Sequence, residues 1–377
     1  MIQSIDEPGR KPPPEVTQSL RKDVANLLHR GSTGFPGAQP VSFCKKHLEE
    51  LCREDYYVCE KSDGIRYLMF LTADENGAET VYLIDRKNDY WWIEEALHFP
   101  LPNNTQAFHV GTVLDGELVM DVHSDGRREP RYLVFDCLAL DGQSLMAREL
   151  SKRLGYFQEQ VFKPYRKLLD DYPSERQYQP FFIDLKSMQM AYGIRMLFED
   201  VIKRLKHDND GLIFTALHSE YKPGTDPHIL KWKEADENSV DFLWKLRFRT
   251  VEPDEEERAE GITEPFVDYD GVPDVDLLAH YGGGQYKIFA PMHLEDAEWE
   301  ILKSFGEALD DRVVEAYMDA QKRWRFSRFR DDKPDGNHIS VVTSVLESIQ
   351  DAITREDLES YSKVIRDNWK AREKSRK

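Results

Sequence analysis

The sequence predicts an α+β protein, with a large first domain of antiparallel strands and helices, a small β domain and a helical tail. Through residues 56–233, short apolar runs between turn residues recur without regular alternation of strand and helix. Residues 239–250 alternate apolar and charged side chains as a half-buried strand does, and apolar residues in 339–349 share a helix face. For a chain of 377 residues we therefore expect three parts, at 1–238, 239–337 and 338–377.

The first domain begins with a Pro-rich, charged arm at residues 1–18, which we expect to be loosely ordered. A short helix is predicted at Leu20–Leu28, and Gly31–Gly37 is rich in turn residues. Residues 56–70 contain two apolar runs interrupted by Asp63-Gly64. This pattern predicts a strand, a tight turn and a second strand.

Two helices and five more strands complete the first domain. Apolar residues at helical spacing predict one helix at 150–170, which Pro173 ends, and another at 188–206. Apolar runs bounded by turn residues predict strands at 80–85, 112–121, 131–138, 211–217 and 228–233.

The small β domain and the tail follow. Strands are predicted at 239–250, 286–290 and 321–329, and the acidic stretch 252–260 has the composition of a solvated loop. The tail has an apolar helix face that needs a partner, so we expect it to pack back on the first domain. Within the tail, Thr354-x-x-Asp357 predicts the cap of a second helix.

Composition excludes several classes of protein. Hydrophobic residues make up 40% and aromatic residues 11% of the chain, which is enough for a sizeable core. A net charge of -19 disfavours a protein that coats duplex DNA through phosphate contacts. The sequence has neither the run of about 20 apolar residues that spans a bilayer nor the apolar core of a secretory signal at its start. Its four cysteines form no CxxC pair, so we expect reduced thiols in a soluble intracellular protein.

The most informative segment is Glu60-Lys61-Ser62-Asp63-Gly64-Ile65-Arg66. A lysine between a strand and a tight turn is held at the surface of a sheet. Lysine attacks as a nucleophile only when it is neutral, so neighbouring cations or a metal must lower its ordinary pKa of about 10.4. Alone, the KxDG pattern is more typical of a hairpin turn with a solvated lysine.

Further polar and aromatic residues follow Lys61, each at the end or on one face of a predicted strand. Each alone fits an ion pair, a turn or a solvated strand face, but together they describe one kind of site. They are Arg86 in LIDR, Glu117 in LDGEL, Phe135 in YLVFD, Asp210 in DGLIF, Lys231 and Lys233 in ILKWK, and Arg328, Arg330, Asp332 and Lys333 in RFRDDK.

This order resembles that of the covalent nucleotidyltransferases, which include mRNA capping guanylyltransferases and polynucleotide ligases, over about residues 30–337. Three stretches favour the capping guanylyltransferases, especially the fungal type: Gly34–Ser42, Tyr221–Thr225 and Trp324–Asn337. The resemblance implies a nucleotidyltransferase domain at 1–238, an OB-fold β-barrel at 239–337 and a C-terminal helical segment.

The resemblance also implies a reaction in two steps. Lys61 attacks the α-phosphate of GTP and forms lysyl-GMP, and the 5′-diphosphate end of a nascent mRNA then takes the GMP to form the GpppN cap. Mg²⁺ or Mn²⁺ is the implied metal, with Glu117 and Asp210 as its candidate ligands.

Roles follow for the other residues of the set. Arg66 and Arg86 would hold the ribose and the nucleotide, and Glu117 and Asp210 would serve the ribose, the lysine or the metal. The remaining implied roles are stacking on guanine for Phe135, a guanine carbonyl contact for Lys186, α-phosphate binding for Lys231 and Lys233, and orientation of the β- and γ-phosphates for Arg328, Arg330, Asp332 and Lys333.

The implied partners are proteins as well as RNA. The sequence contains no HCxxGxxR phosphatase loop, so a separate RNA 5′-triphosphatase subunit is expected. The family also binds the phosphorylated C-terminal tail of RNA polymerase II, which implies a nuclear enzyme.

Two alternatives stay open at this point. An ATP-dependent polynucleotide ligase would use the same chemistry and form lysyl-AMP. A non-catalytic scaffold of the same fold would bind the polymerase tail, although such a protein would be expected to have lost the lysine or its helpers.

Overall fold

A computed structural model describes residues 4–94, 97–234, 238–259, 261, 263–319, 321–350 and 353–376. The chain forms two compact units, a first unit of Met1–Trp232 with Arg355–Lys377, and a second unit of Lys233–Thr354. Parts of three sequence predictions lie outside the described residues: 1–3 of the arm, 260 of the acidic stretch, and 351–352 and 377 of the tail.

The first unit contains fourteen strands and six α-helices among its described residues. The strands are β1 (Ala38–Ser42), β2 (Tyr56–Ser62), β3 (Ile65–Ala73), β4 (Glu79–Ile84), β5 (Tyr90–Ile93), β6 (Pro100–Leu101), β7 (Asn104–Phe108), β8 (Thr112–Val122), β9 (Arg128–Leu140), β10 (Gln143–Ser144), β11 (Phe182–Leu185), β12 (Gln189–Met190), β13 (Asn209–Ala216) and β14 (Gly224–Trp232). The helices are α1 (Pro14–Leu27), α2 (Lys45–Arg53), α3 (Leu150–Tyr156), α4 (Lys163–Asp171), α5 (Ile194–Met196) and α9 (Arg355–Arg376).

The strands form two main sheets. The five-stranded sheet has the order β1-β14-β13-β2-β12, and the larger sheet has the order β10-β9-β8-β3-β4-β5, with β11 also paired to β9. Most pairs are antiparallel, as predicted, but β1 runs parallel to β14 and β11 parallel to β9. The α+β class is therefore correct, and the sheets are mixed.

The larger sheet is buried on both faces. Tyr67, Met69 and Leu71 of β3 join the cluster that includes helix residues 157–169, whereas Leu68 and Phe70 join the cluster formed with α1. Successive side chains of a strand point to opposite faces, so one apolar strand supplies two cores. Because both faces of this sheet are covered, almost every residue of a central strand such as β3 is apolar.

The turn at Asp63-Gly64 does not form the predicted hairpin. β2 belongs to the five-stranded sheet and β3 to the larger one, so this turn carries the chain from one sheet to the other. A Cβ on Gly64 would lie 2.7 Å from the carbonyl oxygen of Leu118 in β8. Glycine is needed here because the crossing chain lies directly against that strand, and the crossing places Lys61 where the two sheets meet.

Gly116 is required for a similar reason. A Cβ there would lie 2.8 Å from the Leu133 carbonyl oxygen and 2.5 Å from the Tyr132 ring. We expect Gly116→Ala to lower the free energy of unfolding by about 1–3 kcal/mol through overpacking. In contrast, Gly155→Ala in α3, where a Cβ has open space, should raise it by about 0.5–1 kcal/mol. Urea unfolding midpoints of the two variants measure this, and a shift of the same sign in both would contradict the packing argument.

Helical segments differ from prediction mainly at their ends and in their type. α1 begins at Pro14 rather than Leu20, because proline is favoured in the first helical turn. From residue 4 onward the predicted loose arm is held in place, since the Tyr67 hydroxyl donates to the Ile5 carbonyl oxygen at 2.9 Å and Arg10 pairs with Trp92 through backbone bonds. The predicted 150–170 helix is α3 and α4 joined by a π-helical segment at Phe157–Phe162.

The predicted helix at 188–206 is also made of short pieces. It begins after β12 and consists of a 3₁₀ turn at Ala191–Gly193, α5, a π-helical segment at Leu197–Val201 and a 3₁₀ turn at Ile202–Arg204. A further 3₁₀ segment, Pro173–Tyr178, follows α4.

The second unit is built on a ring of five strands. Its described elements are β15 (Ser239–Arg247), β16 (Thr250–Val251), α6 (Glu255–Ala259), β17 (Phe266–Val267), β18 (Asp274–His280), β19 (Tyr286–Met292), α7 (Asp296–Lys303), β20 (Val313–Met318), β21 (Trp324–Phe329) and α8 (Ile339–Gln350). The strands β15-β18-β19-β21-β20 close into a barrel. Trp244, Phe242 and Trp324 lie in its core. The acidic stretch contains the short helix α6 and is not only a loop.

The helical tail divides between the two units, so its prediction as one segment is wrong. Val342 of α8 is buried in the barrel core. α9 is part of the first unit, where Leu358 and Ile365 are buried and Trp369 contacts Tyr192 with ring centroids 5.1 Å apart. Each helix of the tail has its own apolar face and finds a different partner.

Candidate active site

Lys61 lies near the end of β2 and faces a carboxylate. Its Nζ is 2.5 Å from Oδ1 of Asp210, and the two side chains are 26% and 21% exposed. The pairing of β13 with β2 passes from Asn209 opposite Ser62 to Leu212 opposite Glu60, so Asp210 and Gly211 form a bulge opposite Lys61. Gly211 has φ +139°, which favours glycine. A bulge re-aims side chains, and this one brings Asp210 to the lysine.

Arg66 and Glu117 form the adjoining part of the site on the larger sheet. They are directly opposite each other in the pairing of β3 with β8. Arg66 is buried, and its Nε and Nη2 donate to the two carboxylate oxygens of Asp115 at 2.9 and 2.6 Å. Arg86 lies in the turn after β4 rather than on the strand. Burial and the neighbouring Arg66 lower the pKa of Arg86.

Phe135 is positioned by a second bulge. Asp115 pairs with Asp136 and Gly116 pairs with Val134, so Phe135 is the extra residue on β9. Its ring lies 5.6 Å from the Arg66 guanidinium carbon. An aromatic ring at the wall of a cavity is a suitable platform for a planar base.

Lys186 directly follows β11, where a lysine could equally have been exposed to solvent, but the structure buries it. Its side chain is 3% exposed, and its Nζ lies 2.8 Å from Oε1 of Glu60 and contacts the Ser62 hydroxyl. Burial alone would lower the pKa of Lys186. The attraction of the Glu60 carboxylate is stronger than this effect, so the pKa of Lys186 is raised. Burial would raise the pKa of Glu60, but the neighbouring His207 imidazole and Lys186 ammonium lower it. The structure thus assigns Lys186 a charged partner on the strand of the nucleophile.

A cavity of about 130 Å³ joins these residues within the first unit. Its lining includes six of the predicted site residues, together with side chains that the sequence analysis did not assign. The predicted ones are Lys61, Arg66, Arg86, Glu117, Phe135 and Lys186, and Asp210 joins them through its bond to Lys61. The others include Ala38, Cys59, Asp115, Asp136, Met188, Ile213, Thr215, Tyr221 and Ile229.

Lys231 and Lys233 come at the end of β14. Lys231 pairs with Ile213, which lines the cavity, and Lys233 directly follows the strand as the first residue of the second unit. Lys231 therefore lies on the strand next to a cavity-lining residue. Lys233, in contrast, belongs to the second unit.

The closing motif lies in the second unit, where carboxylates hold its cations. Nη1 of Arg330 is 2.9 Å from Oδ1 of Asp241, and Lys333 bonds to the other oxygen of that buried carboxylate. Nε of Arg328 is 2.6 Å from Glu315. A hydrogen bond from Arg330 lowers the pKa of Asp332 to about 2. The sequence predicted this cluster of charges but not Asp241, its centre.

The carboxylates of the site can be compared with the ligands that a divalent metal ion needs. Among the described residues, no three His, Cys, Asp or Glu side chains cluster closely enough to hold a metal ion. Mg²⁺ commonly binds to one or two carboxylates with substrate phosphates and water. Glu117 at the cavity and Asp210 beside Lys61 are hard oxygen donors, so they fit a metal that enters with a nucleotide.

Two residues that the sequence analysis missed, Asp115 and Tyr221, form hydrogen bonds with the site residue Arg66. Asp115 is fully buried, and its carboxylate binds both Arg66 and the hydroxyl of Tyr221. Asp115 directly precedes Gly116-Glu117, and Tyr221 begins the Tyr221–Thr225 stretch, so both stand inside quoted motifs. The sequence does show an aspartate and a tyrosine inside these two motifs. It does not show that their side chains form a hydrogen bond in the folded chain.

The described helices include none that is both long and apolar enough to cross a membrane. The four cysteines are free thiols, with Cys59 and Cys137 buried. Burial raises the pKa of Cys59, which lines the cavity, to about 12, so this thiol is a poor nucleophile beside Lys61.

A lysine between two sheets, with arginines, carboxylates and an aromatic wall, fits the class of covalent nucleotidyltransferases. Residues 3–235 match the sequence profile of the mRNA capping enzyme catalytic domain, and residues 237–359 match that of the mRNA capping enzyme C-terminal domain. The chain belongs to the mRNA capping enzyme family, which confirms the resemblance seen in the motifs.

Relatives support this assignment over the full length. The chain is 52% identical to the mRNA-capping enzyme subunit alpha of Neurospora crassa, over 100% of this chain and 96% of that protein. It is 43% identical to the subunit alpha of Schizosaccharomyces pombe, over 99% of this chain and 91% of that protein. Among solved structures, a mycobacterial DNA ligase D complexed with ATP and MES is similar at a TM-score of 0.37 and 18% identity, covering 79% of this chain and 95% of that one. A similarity this weak supports no inference about function.

Proposed function

We propose that this chain is an mRNA guanylyltransferase that works through a lysyl-GMP intermediate. The observation that carries the proposal is Lys61, held 2.5 Å from Asp210 where the chain crosses between sheets and lining one cavity with Arg66, Glu117 and Phe135. Membership of the capping enzyme family supports the same reaction.

In the first step, the neutral amine of Lys61 attacks the α-phosphorus of GTP. A nitrogen–phosphorus bond forms, the bond to the β-phosphate oxygen breaks, and pyrophosphate leaves with the bonding electrons. Oδ1 of Asp210 is placed to accept the proton that Nζ gives up. In the second step, the terminal phosphate of a 5′-diphosphate RNA displaces Lys61 from phosphorus and forms the GpppN cap.

The other predicted site residues would bind and orient the nucleotide. Arg66 and Arg86 hold the nucleotide sugar, Phe135 stacks on guanine, and Lys231 with Lys233 neutralises the α-phosphate. Arg328, Arg330, Asp332 and Lys333 orient the β- and γ-phosphates. A bound Mg²⁺ or Mn²⁺, held by Glu117 and Asp210, would supply further neutralisation of phosphate charge.

The test is label transfer from nucleotide to protein. The purified chain is incubated with α-labelled GTP and, separately, α-labelled ATP, with Mg²⁺ or Mn²⁺, and the labelled adduct is then offered 5′-diphosphate RNA. We expect label from GTP only, followed by its transfer to the RNA end. Labelling from ATP would favour the ligase alternative, and labelling from neither would favour the scaffold.

We also propose the finer architecture and the partners. The five-stranded barrel is an OB-fold. A separate RNA 5′-triphosphatase subunit supplies the diphosphate end, since the relatives are named as subunit alpha. Binding to the phosphorylated tail of RNA polymerase II and a nuclear location follow from the same role.

Base selection gives a specific prediction for Lys186. If its ammonium donates to the guanine carbonyl, adenine would leave that donor unpaired, which is worth about tenfold or more in selectivity. We therefore expect Lys186→Ala to lower the GTP-to-ATP ratio of adduct formation, whereas Phe135→Ala weakens both nucleotides about equally. Because Lys186→Ala also removes the ammonium group that pairs with the buried Glu60 carboxylate, Lys186→Ala/Glu60→Gln is the matched control. A ratio unchanged in both Lys186 variants would contradict the role.

A further inference from the structure

Tyr221 lies behind the cavity with all the hydrogen-bonding capacity of its hydroxyl in use. The hydroxyl donates to Oδ2 of Asp115 at 2.6 Å. It accepts the backbone N–H of Ala38 at 2.8 Å and an N–H of Arg66 at 3.3 Å. A phenol has one donor hydrogen and two acceptor lone pairs, so these three bonds saturate it. Burial and the Asp115 carboxylate raise the pKa of Tyr221, which keeps the hydroxyl protonated and donating.

Arg66 is held by the same group of residues. Nε and Nη2 bind the two oxygens of Asp115, Nη2 also reaches Tyr221, and Nη1 donates to the carbonyl oxygen of Ala38. The rings of Phe35 and Phe135 lie 5.9 and 5.6 Å from the guanidinium carbon. A guanidinium has five N–H groups, and these contacts use four of them. The fifth, on Nη1, can point toward a ligand.

The contacts also join two motifs that are far apart in sequence. Ala38 lies in Gly34–Ser42, and Tyr221 begins Tyr221–Thr225; both stretches carried the resemblance to capping enzymes, yet neither has a role in the chemistry above. β1 runs parallel to β14, with Ala38 opposite Gly224. The two motifs therefore meet at the Tyr221 hydroxyl.

We propose that Tyr221 and Asp115 are positioning residues that fix the Arg66 guanidinium for nucleotide binding, with Ala38 as the backbone anchor. This inference rests on the proposed function, in which Arg66 holds the nucleotide. An arginine side chain has several rotatable bonds, and immobilising them before binding removes an entropy cost from the binding step. The buried bonds around Arg66 perform that immobilisation.

The first experiment compares two buried tyrosines. Tyr221→Phe removes only the hydroxyl, and Tyr165→Phe is the matched control, because the buried Tyr165 hydroxyl bonds to Gln179 at 3.2 Å in a cluster away from the cavity. Tyr221→Phe should lose more thermal stability than Tyr165→Phe, because it removes three buried hydrogen bonds rather than one, so the unfolding midpoints of both variants are measured as well. We expect Tyr221→Phe to raise the GTP concentration for half-maximal adduct formation by about tenfold, with a smaller effect on the maximal rate. Tyr165→Phe should leave both parameters unchanged.

The second experiment tests whether Tyr221 acts through Arg66. Arg66→Lys keeps the positive charge beside Asp115 but cannot make the paired bonds. In that background, Tyr221→Phe should change the half-maximal GTP concentration by less than about twofold, as expected for coupled residues in a double-mutant cycle. An effect as large as in the wild type would overturn the proposal, as would equal effects of Tyr221→Phe and Tyr165→Phe. A wild-type chain that takes no label from GTP would instead contradict the proposed function.

Discussion

We expect the Lys61→Arg protein to form the covalent GMP adduct at least about a thousandfold less than the wild type, because the nucleophile is removed. Arginine keeps the positive charge and can keep an ion pair with Asp210, so the fold is retained. Its guanidinium stays protonated at any working pH and cannot attack phosphorus. The measurement is acid-precipitated, labelled protein after incubation with α-labelled GTP.

The matched control for this substitution is Lys167→Arg. Lys167 is a surface lysine that is also paired with an aspartate, Asp171, one helical turn away. Its replacement should leave adduct formation unchanged. An acid-labile, alkali-stable GMP adduct on the Lys61→Arg protein would show that another residue is the nucleophile.

We expect the Lys333→Ala protein to be slowed mainly in the first half-reaction, the formation of the GMP adduct from GTP. Asp332 and Lys333 are proposed to orient the leaving pyrophosphate, which is gone once the adduct exists. The loss of one such contact costs about 10²–10³-fold in rate. We therefore expect a loss of that size in adduct formation from GTP, and a loss of less than about threefold in GMP transfer from a preformed adduct to RNA.

A lysine elsewhere on the barrel unit controls for this result. Lys245 is 44% exposed and pairs with Asp311 at 2.6 Å, and Lys245→Ala should leave both half-reactions unchanged. Lys333 bonds to the buried carboxylate of Asp241 in the structure, so the unfolding midpoint of Lys333→Ala is measured as well. Equal losses in both half-reactions would contradict the assignment of Lys333 to the first half-reaction.

The sequence predicted individual strands and charged residues well where the pattern is local. Lys61, Arg66, Glu117 and Phe135 line one cavity, as their order within the motifs suggested. Periodicity identifies a strand and its faces, because side chains alternate along it. The residues that motifs place on strand ends could therefore be found before the fold was known.

Contacts between distant segments could not be predicted in this way. Asp63-Gly64 looks like a hairpin turn because a hairpin and a crossing between sheets share the same local turn residues. The bulge that brings Asp210 to Lys61 depends on the register of β13 against β2, which a single strand does not reveal.

Buried polar partners were also beyond sequence reasoning. Lys186 was equally compatible with solvent until the fold placed it against Glu60. The same is true of the contact between Tyr221 and Asp115, which are 106 residues apart. Such pairs are set by three-dimensional packing, and burial makes their hydrogen bonds obligatory.

The most direct test of the central claim is to locate the nucleotide on the protein. The chain is incubated with GTP and metal, digested at alkaline pH, where a phosphoramidate survives, and its peptides are sequenced by tandem mass spectrometry. We expect GMP on the peptide that contains Glu60-Lys61-Ser62, attached to the Lys61 side chain. GMP attached to any other residue, or AMP in its place when both nucleotides are present, would contradict it.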